Sequence, residues 1–573
     1  MNTPFLLPAS SRLPPPGHKA AWGRLLGASL SLAAAELALR IDRPILILAE
    51  DPRHADQLET EIRFFAGDDL PVEHFVEWET LPWDSFSPHQ DIISQRLRVL
   101  ARLPEMRHGV VIAAATVLQQ RLPPVDYVAS RSLSLRRGQA LPREPFTDSL
   151  VASGYLRVPQ VSEHGEFAVR GSLIDIFPMG ADTPVRIDFF DDDIESLRYF
   201  FADTQLSGER IDAVDILPAR EVPLDADAVR LFRDRYRERF EGQPSRSRVY
   251  REVSDGIAHG GIEYYLPLFF DSTATLSDFL PDNCVVLGPA GLDSLLEQFW
   301  VEAQERYELC SLDRERPILT PEETFLSPES VPPCLASFPA IQYAAQSLPE
   351  NAQTLNFDTR LPPAMKIEAR FEDAAASLMQ FLESFDGRVL FSTDSPGRRE
   401  QLFDMLSGRG LDLARIDTWQ DFADDTHRIG VAVAPIDYGV LLPGASVALI
   451  SEQQLFGERT KARKRRRKSD RDPETIIRQL NDLEPGSPVV HEEYGVGRYL
   501  GLTTLEAGGI TAEFLHLEYA DGDKLYVPVH ALDLISRYTG ASADHAPLHR
   551  LGSDQWSKAK RRAIRKIRDV AAE

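Results

Sequence analysis

The chain has 573 residues, 43% hydrophobic and 26% charged, too long for a single core and of a composition that excludes a disordered or collagenous protein. Its formal net charge of −25 argues against a surface that binds nucleic acid throughout, because the phosphate backbone would be repelled, but leaves room for a local basic patch. Cys284, Cys310 and Cys334 are few, far apart and match no CxxC spacing, which points to a reducing compartment and away from a structural zinc site.

The N-terminal MNTPFLLPASSRLPPPG lacks a basic start followed by a long apolar run, so no signal peptide is expected. Leu25–Arg40 reads as an Ala/Leu helix, interrupted by Ser29, Ser31 and Glu36 and too polar to span a bilayer. Arg43-Pro44 breaks it, and PILILAE (Pro44–Glu50) is a continuous apolar run suited to a strand buried on both faces of a parallel sheet. A helix over Asp51–Phe65 and a second buried strand in Gly109–Leu118 complete an α/β pattern.

From about Asp126 the pattern changes to alternation. Phe167–Phe177 and Pro184–Phe200 read as strands joined by a Pro-Met-Gly-Ala-Asp turn. In the second, Val185, Ile187 and Phe189 fall on one apolar face, and Arg186, Asp188 and Phe190 on the other. Arg170 shares parity with Ala168 and Ser172, with Gly171 a candidate bulge. Two readings of this polar face stand. The arginines neutralise Asp188 and the run Asp191–Asp193, or they form an interface of the Arg-plus-aromatic kind that dominates protein recognition.

Mixed character resumes from Ala213, and residues 352–455 hold another α/β set, with a helix over Phe371–Ser384 and strands in Gly387–Thr393, Ile429–Pro435 and Ala445–Ser451. Arg459–Lys468 carries eight basic residues in ten, a pattern of flexible linkers that could also attract DNA. Leu483–Arg537 reads as a compact all-β module with turns at Ala507–Gly509 and Ala520–Asp523. Leu505 sits just before the first turn, either packed over the end of the module or exposed at its edge. The closing WSKAKRRAIRKIRDVAAE has a helical stripe and no C-cap, the expectation for a helix cut inside a longer polypeptide.

No GxxxxGK[ST] occurs; the nearest stretch, Gly23–Ser29, has Ala28 where a phosphate-binding lysine would stand. GxSxG and HExxH are also absent, and His74, His89 and His164 are isolated in sequence. The expectation is no catalytic residue, no metal and no cofactor in this chain.

Three stretches carry a resemblance. WETLPWDSFSPHQDIISQR (Trp78–Arg96) is similar to the early segment of the bacterial transcription-repair coupling factors, the Mfd family, and more loosely to UvrB. EHGEFAVRGSLIDIFPMG followed by VRIDFFDDDIESLR (within Glu163–Arg198) resembles the domain by which Mfd and UvrB dock onto UvrA. Val489–Tyr538 resembles the Tudor-like RNA-polymerase-interacting domain of Mfd and the regulator CarD.

The resemblance covers essentially the whole chain. It implies a multidomain α/β architecture: a UvrB-like α/β unit with an inserted α+β UvrA-binding domain, a further α/β domain, and a small all-β Tudor-like barrel. The implied domains are 1–125 and 213–345 for the two halves of the UvrB-like unit, 126–212 for the UvrA-binding insertion and 352–455 for the α/β domain of unknown role. A basic linker at 456–474, the Tudor-like domain at 475–546 and the start of a helix at 547–573 follow.

By the same resemblance Arg170, Arg186 and Phe190 are the UvrA-contacting positions, and Leu505 lies at the edge that contacts the polymerase β subunit. The implied role is a cytoplasmic, non-membrane scaffold for transcription-coupled repair. ATP, magnesium and most double-stranded DNA binding are implied for the family's translocase, outside this sequence. The competing reading is a nucleotide-hydrolysing or DNA-acting repair subunit within this chain.

Overall fold

The computed structural model describes residues 6–8, 13–68, 70–202, 204–240, 242, 244–313, 315–365, 367, 375–424, 426–457, 486–491, 494–507, 510–528, 535–537, 548 and 550. They divide into two compact units, residues 1–460 and 461–573. Among the described residues, no helix is long and apolar enough to cross a membrane.

The first unit is built on a seven-stranded parallel sheet, ordered Thr354–Asn356, Lys19–Gly23, Ala340–Tyr343, Val285–Pro289, Pro44–Ala49, Gly109–Ala114, Val72–Phe75. Its central strands are apolar throughout because both faces are covered. Ile45 and Ile47 pack into one core with Val110 and Ile112, while Leu46 and Leu48 pack into another with Val111 and Ala113. The first core is closed by helices Ser29–Arg40 and Pro52–Ala66, the second by Gln90–Arg102. Thr354–Asn356, within the range the sequence assigns to the further α/β domain, is an edge strand of this first sheet.

Between the two chain segments that build this sheet lies a six-stranded sheet. Its order is Ser207–Ile211, Asp193–Phe200, Val185–Phe190, Leu173–Ile176, Glu166–Arg170, Leu156–Arg157, antiparallel except for the last pair. Its apolar face, including Phe167, Ile174, Ile187 and Leu197, is continuous with the second core. A separate pairing of Ala213–Ile216 with Leu133–Arg136 closes the base of this segment.

The third sheet, Leu413–Ile416, Ile429–Val433, Arg388–Thr393, Val447–Ser451, Val440–Leu442, is parallel but for its last strand. Leu390, Ala432 and Leu449 from this sheet share a core with the Ala-rich Ser29–Arg40 helix, which explains why that helix is buried nearly all round.

The second unit contains a five-stranded antiparallel sheet, ordered Lys524–Pro528, Ile510–Glu518, Gly495–Ala507, Pro488–His491, Ile535–Arg537. Among the described residues this sheet is open, its two outer strands unpaired with each other, so no closed barrel is formed by them.

One buried side chain joins the pieces of the first unit. Arg96, fully buried on the Gln90–Arg102 helix, pairs with buried Glu221 at 2.7 Å. It also donates to the Val76 carbonyl at 2.7 Å and to Gln120 at 3.1 Å, and lies over the Phe75 and Trp78 rings. Trp78 donates its indole N–H to the other Glu221 oxygen at 2.9 Å. Arg96→Met, leaving a buried carboxylate unpaired, is expected to cost about 3–5 kcal/mol of unfolding free energy. Arg96→Met combined with Glu221→Leu should recover most of that loss in urea denaturation. A double variant as unstable as the sum of the singles would show that the pair itself is not the source.

Two candidate docking surfaces

On the inserted sheet, period-two alternation sends Val185, Ile187 and Phe189 into the core and turns Arg186, Asp188 and Phe190 outward. Glu166–Arg170 and Leu173–Ile176 are joined by the two-residue turn Gly171-Ser172, with Gly171 at φ +61°, so the glycine makes a hairpin turn rather than a bulge. The register then sets Ala168 opposite Asp175 and Asp175 opposite Arg186, on one face.

Asp175 is 1% exposed and organises that face. Arg186 grips it with two hydrogen bonds, Nε to Oδ1 at 2.7 Å and Nη2 to Oδ2 at 3.0 Å. These hydrogen bonds raise the Arg186 pKa above its ordinary value. The same guanidinium donates to Ser207 Oγ at 2.9 Å and to the Gln205 carbonyl at 3.3 Å, and covers the Phe200 ring at 5.0 Å. Arg170 lies 3.9 Å from Asp175 and donates to the Pro159 carbonyl at 3.1 Å. Both arginines thus converge on Asp175, which sequence reasoning missed, rather than on Asp188 or the Asp191–Asp193 run. The available signal was parity: Asp175 sits between the core residues Ile174 and Ile176, on the same face as the arginines.

Phe190 is 74% exposed at the end of its strand, beside a two-residue turn with Asp191 at φ +58°. Phe201 and Leu206, unmarked in the sequence, are also exposed on the loop leading to the outermost strand. The face therefore pairs an ordered charge cluster centred on Asp175 with the protruding Phe190, the mixture enriched in protein-binding surfaces.

In the second unit, Leu515, Leu517, Tyr519 and Val527 are buried while Phe514, His516 and Tyr526 are partly or largely accessible, with the His516 and Tyr526 rings stacked at 4.9 Å on the outer face. Within the long Gly495–Ala507/Ile510–Glu518 hairpin, Pro488–His491 covers only residues 495–498, its other edge taking Ile535–Arg537, and Lys524–Pro528 covers only residues 514–518. Among the described residues, positions 500–507 and 510–513 of the hairpin are thus paired on one side only. Leu505 lies in this arm with its backbone opposite Ala512; its side chain, and the Gly508-Gly509 turn, lie outside the described residues. The basic segment Arg459–Lys468 and the terminal Lys558–Arg568 stripe also lie outside them.

His74, isolated in sequence, is brought 2.9 Å from Glu59 and 3.6 Å from Asp56. Against the upward push of burial, hydrogen bonds from His74 and Arg63 hold the Glu59 carboxyl down to about 2. These three residues are the group among the described residues whose donor atoms lie close enough to hold a cation, but Glu59 already pairs with Arg63 at 3.0 Å.

Three family models match: the UvrB interaction domain over residues 133–222, the MFD D3 domain over 381–455, and the CarD-like/TRCF RID domain over 483–539. The chain is 41% identical over 558 residues to the transcription-repair-coupling factor of Escherichia coli, covering 97% of this chain and 48% of that protein. It is 39% identical to that of Haemophilus influenzae over 100% of this chain and 50% of that protein. The corresponding figures for Bacillus subtilis are 26%, 96% and 47%. The chain thus spans about half the length of the curated relatives it matches.

The different burial of Arg186 and Phe190 separates structural from surface roles. Arg186→Ala strands buried Asp175 and is expected to lower stability by about 2–4 kcal/mol. Phe190→Ala should stay within about 0.5 kcal/mol of the parent in chemical denaturation. Equal losses in the two variants would overturn this division.

Proposed function

We propose that this chain, which belongs to the transcription-repair-coupling-factor family, is a two-ended scaffold that binds RNA polymerase and brings UvrA of nucleotide excision repair to it. The observation that carries the reading is the presence in one polypeptide of a UvrB interaction domain and a CarD-like/TRCF RID domain, separated by 260 residues. The two ends offer different chemistry, which suits two unlike partners.

At the UvrA end, Asp175 fixes Arg186, and Arg170 and Phe190 reach outward from the same face. Phe190 supplies the apolar anchor and Arg170 a cation at its rim. Phe190→Ala is expected to weaken UvrA binding by about 2 kcal/mol, roughly thirtyfold, with folding unchanged. Calorimetry giving affinity within twofold of the parent would sink the assignment of this face.

At the polymerase end, the half-paired arm around Leu505 offers free backbone groups to an edge strand of the β subunit, with Leu505 as the side chain that sets register. A Tudor-like closure of the sheet around Leu515, Leu517 and Tyr519 belongs to this reading; the burial of these residues with Val489, Tyr499 and Val527 supports it. Leu505→Arg should abolish binding to the β subunit while leaving the melting curve in place, because a charge buried unpaired in the contact costs several kcal/mol, on the order of 3. Undiminished binding, or an unfolded variant, would return Leu505 to the core.

The chain works in the cytoplasm without a cofactor of its own. ATP, magnesium and the translocation of double-stranded DNA belong, in this proposal, to the rest of the family's length.

A further inference from the structure

The Gly23–Ser29 stretch occupies a notable place in the first sheet. It leaves the carboxyl end of the Lys19–Gly23 strand and enters the Ser29–Arg40 helix. In parallel α/β sheets a loop so placed presents free backbone N–H groups at a helix N-terminus, the geometry that cradles anions. Here the Arg24, Leu25, Leu26 and Ala28 N–H groups are taken by the chain's own oxygens. Arg24 donates to the Gln346 carbonyl at 2.8 Å, Leu25 to Ala344 at 3.1 Å, and Leu26 to Thr359 Oγ1 at 3.3 Å. Thr359 in turn donates to the Arg24 carbonyl. Ala28, next to the helix, donates to the Tyr438 carbonyl at 3.0 Å.

That last acceptor comes from the 376–455 α/β segment, and the fit around it is close. Gly27, at φ +55°, meets Gly439 backbone to backbone; a Cβ on Gly27 would strike the Gly439 carbonyl, and one on Gly439 would strike the Leu449 carbonyl. The Asp437–Gly439 turn is itself braced: Ser451 Oγ donates to the Asp437 carbonyl at 3.0 Å, the Gly439 N–H to Gln454 at 3.2 Å, and Gln453 to the Asp437 carboxylate at 3.1 Å. The capping box that positions Gln454, on the Glu452–Phe456 helix, thus also holds the turn.

We infer that the Asp437–Gly439 turn is a resident occupant of the anion-binding position at the head of the first helix, the Tyr438 carbonyl oxygen standing where a phosphate oxygen would. The carbonyl accepts from the Ala28 N–H at the helix end without bringing a net charge there. This assigns a role to the 376–455 segment: it clasps the first sheet's loop shut and bars phosphate-bearing ligands from it. The occupancy is independent of either docking surface.

The test is residue-resolved amide hydrogen exchange on the full 573-residue chain. In the parent, the Ala28 amide should exchange at least about a hundredfold slower than a free amide. Millimolar ATP or inorganic phosphate should not change that rate. Gly439→Ala, which forces the turn away, should speed exchange at Ala28 at least about tenfold in a chain that still folds. A free-amide rate at Ala28 in the parent, slowing of that rate by phosphate or ATP, or full protection in folded Gly439→Ala would each overturn the inference. If Gly439→Ala does not fold, the parent's exchange rate with and without phosphate decides the matter alone.

Discussion

The buried contact between Arg96 and Glu221 ties together the part of the chain before the inserted sheet and the part after it. A lone guanidinium without water would be strongly destabilising, so the fold must bring a carboxylate to it from the returning chain. Glu221 meets that need and also fixes Trp78, at the head of the long loop before the Gln90–Arg102 helix. A second buried carboxyl nearby, Glu263, is pushed up to about 7 by burial, with the Glu221 charge adding to the push. The site holds one strong ion pair and keeps the neighbouring carboxyl largely neutral in mild acid, accepting from Ser87 at 2.9 Å. Arg96 Nη2 has no protein partner, so the arrangement favours a particular joining of segments over the most stable filling of the space.

The inserted sheet repeats this logic near its surface. Asp175 is as buried as a core leucine, and its charge makes Arg186 a fixture. Of the three residues on this face, Arg186 is therefore held fast, Arg170 is half committed, and Phe190 projects into solvent. An interface built on a pre-ordered arginine loses less side-chain entropy on binding than one that must order it.

Much of this architecture was legible because it rests on short-range patterning. PILILA can only be a strand buried on both faces, and it is. VRIDFF alternates, and so does its burial. The failures have equally local causes. The first helix begins at Ser29 rather than Leu25 because the loop amides find long-range partners, an outcome that no periodicity records. Phe167–Phe177 is a hairpin because Gly171 adopts a left-handed conformation. Asp175 went unmarked because its importance comes from a neighbour eleven positions away, across a turn. The placement of Thr354–Asn356 on the first sheet was hidden for the same reason, its partner strand lying at the other end of the unit's sequence.

The two units also differ in how far their contacts reach along the chain. In the first sheet, Val285 neighbours Ile45 and Ala340 neighbours Lys19, so the sheet is incomplete until the chain has returned from the insertion. Thr359 and Tyr438 then close the loop at the first helix from still farther along. Such pairings pay loop-closure entropy before any burial offsets it, which makes the first unit a single late-closing assembly. In the second unit the described strands pair mainly with their sequence neighbours, and its longest reach is from Pro488–His491 to Ile535–Arg537. Among the described residues, the strands of this sheet pair with one another alone. Such independence suits a module whose outer arm, among the described residues, is paired on one side only.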